Sequence, residues 1–561
     1  MKIITPASKK YLFFFVFLAV SFCLYFNSLN NEFVLDDKDL IVNNAYIKNI
    51  KLLPSIFFKN IYQFSSEQRS NHYRPLQLAS YALDYNLWRL NPLGYRLTNI
   101  FLHALSSFLA YLFVSLLFGR QGLALLAALL YCAFPLHSSA VAYIAGRADI
   151  LAAVFMLLGL IKFLKYAQTQ NIREYTFSVI FFFLALLSRE NALLLPFLVL
   201  LSCFVIRAKN KNTLLSLSGF FIIGFFYAII RFFVLKNFKF FLAAGTFPSF
   251  SFTLINSLNL LKKYLLLFAW PWPLYPMRTT PFVQYLSAAD IVLLAGLFSL
   301  ALILGFKERQ RIIAFGASWF IIALSPAILL IYTFRPIGAT MAENWLYLPA
   351  IGLFIIIGYL LSRAGKSKKA LFLFIFSFYG ILTIGNNKNW KDDLTLYRHI
   401  LKFSPDNYIA RINLASVYSG QGRYDEAIAE LEPLIAKKEA SWAALLQMAN
   451  VYLAKGEINQ AVEYCEKSIA INPHSGQAYY NLGLLYEIQG KEKESLDAYL
   501  KALQINPVLW KPYLSIGDRL MRKNLPRVAL KFYQRALVLS PRDKETRSRL
   551  EKAIRAASAQ Y

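Results

Sequence analysis

For its first 390 residues the chain is a string of apolar segments, at about 11–27, 97–118, 121–134, 149–165, 175–188, 192–206, 214–234, 289–305, 312–332, 346–362 and 370–385. A bilayer crossing takes roughly 20 apolar residues, so these segments are span-length or slightly short. A chain patterned this way does not fold as a soluble globule, and inside lipid each crossing must satisfy its own backbone, which makes it a helix. Orientation follows from the basic residues, which stay cytoplasmic when loops are short. Lys9-Lys10, the run Arg207–Lys211, the run Lys307–Arg311, and Arg363 with Lys366, Lys368 and Lys369 therefore belong inside. They agree only if 254–270 does not cross. Lys262 and Lys263 sit in the middle of that stretch and Pro271, Pro273 and Pro276 follow it, as expected of a helix lying in the outer interface. The expectation is about eleven spans, a cytoplasmic N-terminus, exoplasmic loops at about 28–96 and 235–288, and everything after Gly385 outside. Asn27-Ser28-Leu29-Asn30-Asn31 offers no small-residue cleavage site, so the first apolar run reads as a retained span.

Beyond Trp390 the pattern changes. Pro473, Pro507 and Pro541 are spaced by 34 residues, the period of the tetratricopeptide repeat. Leu482, Gly483, Tyr486, Ser495, Tyr499 and Ala502 recur one period on as Ile516, Gly517, Leu520, Ala529, Tyr533 and Ala536. One period earlier stand Met448, Ala449, Tyr452, Ala461, Cys465 and Ser468. The fold expected is all-α: a polytopic membrane bundle over 1–390, then an α-solenoid over 391–561 with about four repeats (408–541) and a C-terminal capping helix. Such an array offers a concave face for extended polypeptide; packing or oligomerisation is the plainer use.

Charge singles out the chemistry. The membrane half holds 35 Lys+Arg but only 12 Asp+Glu. Four of those acids, Glu32, Asp36, Asp37 and Asp39, fall within eight residues directly after the first span. Adjacent Asp36 and Asp37 raise each other's pKa unless donors or a cation offset the repulsion, an arrangement suited to a general base or a metal ligand. Arg74, Arg147, Arg189 and Arg231 map to exoplasmic span ends, and arginine is the residue for bidentate phosphate contacts. They point to an anionic headgroup or lipid-linked phosphate. Cys23, Cys132, Cys203 and Cys465 show no paired spacing, so neither a disulfide framework nor a metal site is read from them.

In order, Asp36-Asp37, Tyr73-Arg74-Pro75-Leu76, Asn91-Pro92-Leu93-Gly94-Tyr95 with Asn99 and His103, then Pro135-Leu136-His137 run along the first part of the chain. Gly146-Arg147-Ala148-Asp149, Arg189-Glu190-Asn191, and Glu343 with Leu346-Tyr347-Leu348-Pro349 follow. This series resembles the TMTC family of transmembrane and tetratricopeptide-repeat proteins. The resemblance implies a GT-C glycosyltransferase fold and transfer of a sugar from a polyprenyl-phosphate donor on the exoplasmic face. It makes Asp36-Asp37 the catalytic position and a protein Ser/Thr hydroxyl the acceptor, with His137, Glu190, Glu343 and Tyr347 in support. Phe134-Pro135-Leu136-His137-Ser138-Ser139 departs from the family's His-Pro-x-His-Thr-Glu, and Glu343-Asn344 from its Glu-Arg. Metal dependence is left open; no cofactor and no nucleic acid is called for.

The mechanism expected is inversion, with Asp36 or Asp37 taking the acceptor proton and the arginines holding the leaving phosphate. The rivals are a non-catalytic membrane scaffold and a transporter of lipid-linked sugars. A bacterial inner membrane with periplasmic repeats is the first reading of location; an endoplasmic reticulum membrane with luminal repeats is the other.

Overall fold

The computed structural model describes residues 7–44, 46–61, 72–207, 210–235, 249–285, 287, 311–329, 341–436, 441–540 and 544–559. The chain divides into two compact units, the second running from Ile400 to the C-terminus. Among the described residues both are helical, and one isolated bridge, Arg278 to Met341, is the sole β pairing.

The first unit contains α1 (Ala7–Tyr25), α2 (Pro75–Trp88), α3 (Pro92–Phe118), α4 (Gln121–Ala133), α5 (Arg147–Thr169) and α6 (Ile172–Ser188). α7 (Leu195–Ile206), α8 (Leu217–Leu235), α9 (Phe250–Ala269), α10 (Arg311–Leu329), α11 (Ala350–Arg363) and α12 (Lys368–Asn387) follow. Local signals set the ends. Asn91 caps α3 by accepting from the Leu93 amide at 3.1 Å, Pro92 fills the first helical position, and Gly119 closes the helix in the left-handed region at φ 66°. α3 packs on α1, α4 and α5, and α4 on α11. α10 and α11 cross at Gly316 and Gly352, where a Cβ on either would strike the other's carbonyl oxygen.

Among the described residues six helices are long and apolar enough to cross a membrane: Tyr11–Ser28, Pro92–Phe118, Ile144–Thr169, Asn212–Leu235, Arg311–Ile328 and Gly365–Trp390. Gln121–Ala133 with Pro135–Val141 adds a seventh as a pair bent by 50°. The described residues do not confirm the expected eleven. α6, α7 and α11 are shorter than a full crossing, and the expected segment 289–305 lies outside the described residues, as do 62–71 and 236–248 of the two expected loops. α9 forms one helix over the stretch read as non-crossing. Its packed face carries Asn256, Asn259, Leu260, Tyr264, Leu267 and Phe268, and it is not among the six.

The second unit stacks helix pairs: α13 (Tyr408–Gly420) with α14 (Tyr424–Ile435), α15 (Trp442–Lys455) with α16 (Ile458–Ile471), α17 (Gly476–Ile488) with α18 (Glu492–Ile505), and α19 (Trp510–Arg522) with α20 (Pro526–Leu539). α21 (Lys544–Ser558) covers the end by burying Ala553 against α20. The small residues of the period sit where partners touch; at Gly483 and Gly517 a Cβ would meet the rings of Tyr499 and Tyr533. Each pair turns through a left-handed residue, Gly422, Gly456, Gly490 and finally Asn524 (φ 75°, 87°, 74° and 57°). These turns keep the 34-residue period, with Asn524 standing where the three earlier repeats have Gly.

Candidate active site

The loop after α1 is tied down from two directions. Asn31 donates to the Asn387 carbonyl at 3.0 Å, and the Glu32 amide to the Lys391 carbonyl at 2.7 Å. Further along, the Leu35 amide donates to Asp393 at 3.1 Å, and Lys38 forms an ion pair with the same carboxylate at 2.5 Å. These bonds set the acidic pair in place, and the pair then splits. Asp37 turns inward and is fully buried, its Oδ1 accepting from the Ala145 amide at 2.7 Å and its Oδ2 from the Val34 amide at 3.2 Å. Asp36 turns outward, exposed, and accepts from the Tyr143 hydroxyl at 2.9 Å. Tyr143 is itself stacked on Trp390, ring centres 5.1 Å apart.

Burial pushes the Asp37 carboxyl up to about 7, against the opposing pull of Arg96 and the two amides. Arg96, which the motif reading passed over, is wholly buried and holds the loop by donating to the carbonyls of Asn31, Glu32 and Ala142. Its only sequence signal is that it follows Tyr95 directly.

Four further acids of this unit, Asp84, Glu190, Asp149 and Glu343, are each matched to an arginine. Arg147 pairs with Asp84 at 2.6 Å and donates to Asn99 at 2.6 Å, Ser80 at 3.2 Å and the Tyr95 carbonyl at 2.8 Å, with its guanidinium over the Tyr81 ring. It has no exposed surface and ties α2 to α3. Arg74 makes a bidentate contact with Glu190, at 2.7 and 3.1 Å, and His72 reaches the same carboxylate at 3.1 Å. Burial holds His72 below its ordinary value, so the triad is close to neutral. Arg189 pairs with Asp149, whose Oδ2 also accepts from Asn344 at 2.8 Å. Arg278, the second residue the sequence reading missed, pairs with Glu343 at 2.8 Å; Glu343 also accepts from the Tyr275 amide at 2.8 Å. Arg231 is half-buried on α8, and Tyr227, one turn back, interacts with its charge and with those of Glu190 and Arg74.

His137 and Tyr347 sit together in a buried aromatic cluster. The Tyr347 hydroxyl meets His103 Nδ1 at 2.7 Å and Ser106 at 2.8 Å, and His137 packs on the Tyr131 and Tyr347 rings, 4.5 Å from each. The departures from the family pattern have local explanations. Phe134 fills a pocket of Phe268, Phe354 and Tyr379, Ser139 turns back to the Leu136 carbonyl at 2.7 Å, and Asn344 supplies a neutral donor to Asp149. Among the described residues no three His, Cys, Asp or Glu side chains converge as a metal site.

Comparison with known proteins bears on the same elements. Residues 81–235 match the model described as dolichyl-phosphate-mannose-protein mannosyltransferase, a stretch that includes Arg147, Arg189 and Arg231 but stops short of Asp36, Asp37 and Arg74. Residues 389–449 and 442–507 match tetratricopeptide-repeat models. A protein O-mannosyl-transferase of Caenorhabditis elegans is 25% identical over 432 residues, covering 73% of this chain and 61% of its own length. Protein O-mannosyl-transferase TMTC4 of Mus musculus is 26% identical over 489 residues, covering 73% and 64%.

The chain is TMTC-like. Protein O-mannosyl-transferase TMTC2 of Homo sapiens reaches 33% identity, over 155 residues that cover 27% of this chain and 18% of that one. The TMTC-like chain spans about three fifths of the length of the first two relatives. It combines apolar helices able to form a multi-pass membrane protein with a repeat array.

Proposed function

We propose that this protein is a membrane glycosyltransferase that moves a sugar, with inversion, from a polyprenyl-phosphate donor to a Ser/Thr hydroxyl of a polypeptide on the exoplasmic face of the membrane. In this reading about eleven segments cross, the N-terminus is cytoplasmic, and the repeats present the polypeptide acceptor. The observation that carries it is the split of the acidic pair. A buried Asp37 locks the loop through two amides, and this leaves Asp36 exposed and oriented by the Tyr143 hydroxyl.

Asp36 is the base that accepts the proton of the attacking hydroxyl, because an acceptor can reach it; Asp37 positions it. The relatives' printed names, protein O-mannosyl-transferases, support the reaction class. The leaving phosphate falls to the half-buried Arg231, with Arg74 and the nearly enclosed Arg189 in support, whereas Arg147 has no exposed surface at all. The neutral pairing of Arg74 and Arg189 with Glu190 and Asp149 keeps those side chains oriented until the donor arrives. Purified full-length protein in liposomes, given polyprenyl-phosphate mannose and a Ser/Thr peptide, tests this. Transfer by the wild type and its loss in Asp36→Asn supports the reading; transfer by Asp36→Asn at the wild-type rate overturns it.

A further inference from the structure

The repeat array carries a charge pattern that the transfer reaction does not use. Its second helices, α14, α16, α18 and α20, each expose six positions in one register, 34 residues apart. On α14 and its last turn these are Asp425, Glu426, Ala429, Glu432, Pro433 and Ala436; on α20 they are Arg527, Val528, Lys531, Gln534, Arg535 and Val538. Along the four helices the formal charge of the stripe steps from −3 to −1, 0 and +3. The positive end continues into the tail, for residues 508–561 hold 13 Lys+Arg against 4 Asp+Glu, whereas 391–507 hold 12 against 15.

The two ends also differ in what already meets their charge. At the acidic end Glu426 pairs with Arg423, and Asp425 lies 3.4 Å from Lys455. At the basic end neither Lys531 nor Arg535 has an ion-pair partner among the described residues. The cations alternate with apolar side chains, Val528 at 42% and Val538 at 68% exposure. Eleven residue steps of helix make a straight stripe about 16 Å long. Cations interleaved with exposed apolar groups along one helix face are what a bilayer interface accommodates. A bilayer is a permanent neighbour of a chain with six helices able to cross one.

We propose that the outer face of α20 docks on an anionic bilayer surface. Arg527, Lys531 and Arg535 meet the lipid headgroup anions, and Val528 and Val538 enter the headgroup boundary. The acidic α14 stripe is repelled by the same surface, so the array attaches by its last repeat. A second copy of the chain is the less favoured occupant, because the acids it would offer from α14 are partly engaged by their own Arg423 and Lys455.

The test uses the full chain, one copy per nanodisc, with Cys23→Ser and a single environment-sensitive fluorophore on Val538→Cys. The discs contain phosphatidylcholine alone or with phosphatidylglycerol, each with and without a lipid-borne quencher. The expected result is a blue shift and lipid quenching in the phosphatidylglycerol discs only, absent when the fluorophore sits on the matching α14 position, Ala436→Cys. Each basic side chain near an anionic surface strengthens attachment about five-fold, so Lys531→Glu with Arg535→Glu should weaken docking by at least roughly 30-fold. High salt should weaken it as well. Absence of quenching at 538, equal quenching in both lipids, or a signal that appears only with two copies per disc each overturns the proposal. Because both variants change exposed residues, circular dichroism identical to wild type separates lost docking from lost folding.

Discussion

Asp37 makes a quantitative prediction that does not depend on the reaction. Burial raises its carboxyl from 3.8 to about 7 in the folded protein, while the unfolded chain keeps the ordinary value. Between pH 4 and 7 the folded state therefore holds a proton that the unfolded state has released, so stability falls as pH rises through that window and is level above it. A rise from 3.8 to about 7 corresponds to roughly 4 kcal/mol across the window. Asp37→Asn cannot titrate, and it resembles the protonated wild type in shape and charge. The variant still loses one acceptor for the Ala145 or Val34 amide, a cost of about 1–3 kcal/mol, but that cost does not vary with pH. The assay is denaturant unfolding of wild type and variant in detergent at matched pH values from 4 to 9. The wild type should lose stability relative to the variant as pH rises from 4 to 7, with the difference constant beyond. Parallel profiles would show that the carboxyl is not held up by burial and would refute the argument that Asp37 is a sealed anchor.

Asp36→Asn should lower sugar transfer by about 10²–10⁴-fold with unfolding unchanged, read by product formation beside a melting curve. Tyr143→Phe, which removes the 2.9 Å hydrogen bond to Asp36, should reduce transfer more modestly and leave donor binding intact. Asp84→Ala strands the buried charge of Arg147 and should destabilise the membrane unit by about 3–5 kcal/mol, whereas removal of the half-buried Lys162–Glu174 pair should cost under about 1 kcal/mol.

The repeat array was legible because its information is local and periodic: prolines, small residues and tyrosines return every 34 residues, and each pair contacts mainly its neighbours. The membrane character was legible from apolar runs, but α6, α7 and α11 show that an apolar run and a full-length crossing helix are different things. Rarity drew attention to Asp36 and Asp37; their opposite orientations could not be read, because they depend on Ala145 and Tyr143, over 100 residues away. The arginines illustrate the same limit. Arg147 finds Asp84, Arg74 finds Glu190 and Arg278 finds Glu343 across separations of 63, 116 and 65 residues with no linking pattern, so a sequence reader sees four cations where the fold has largely neutral pairs. Arg96 and Arg278 were missed because neither stood out as an isolated charge in a conspicuous motif.

The bonds from Asn31, Glu32, Leu35 and Lys38 to Asn387, Lys391 and Asp393 close the membrane unit into a ring, with the beginning of the chain buttoned onto the last of its spans. The button lies beside Asp36. A cut at residue 390 would leave every membrane helix in place yet discard Asp393 and the Lys391 carbonyl, and the acidic loop would come undone. Ending the unit after His399 keeps the clasp shut, so the shape of the acidic loop and the point of truncation are linked through a seam nine residues long.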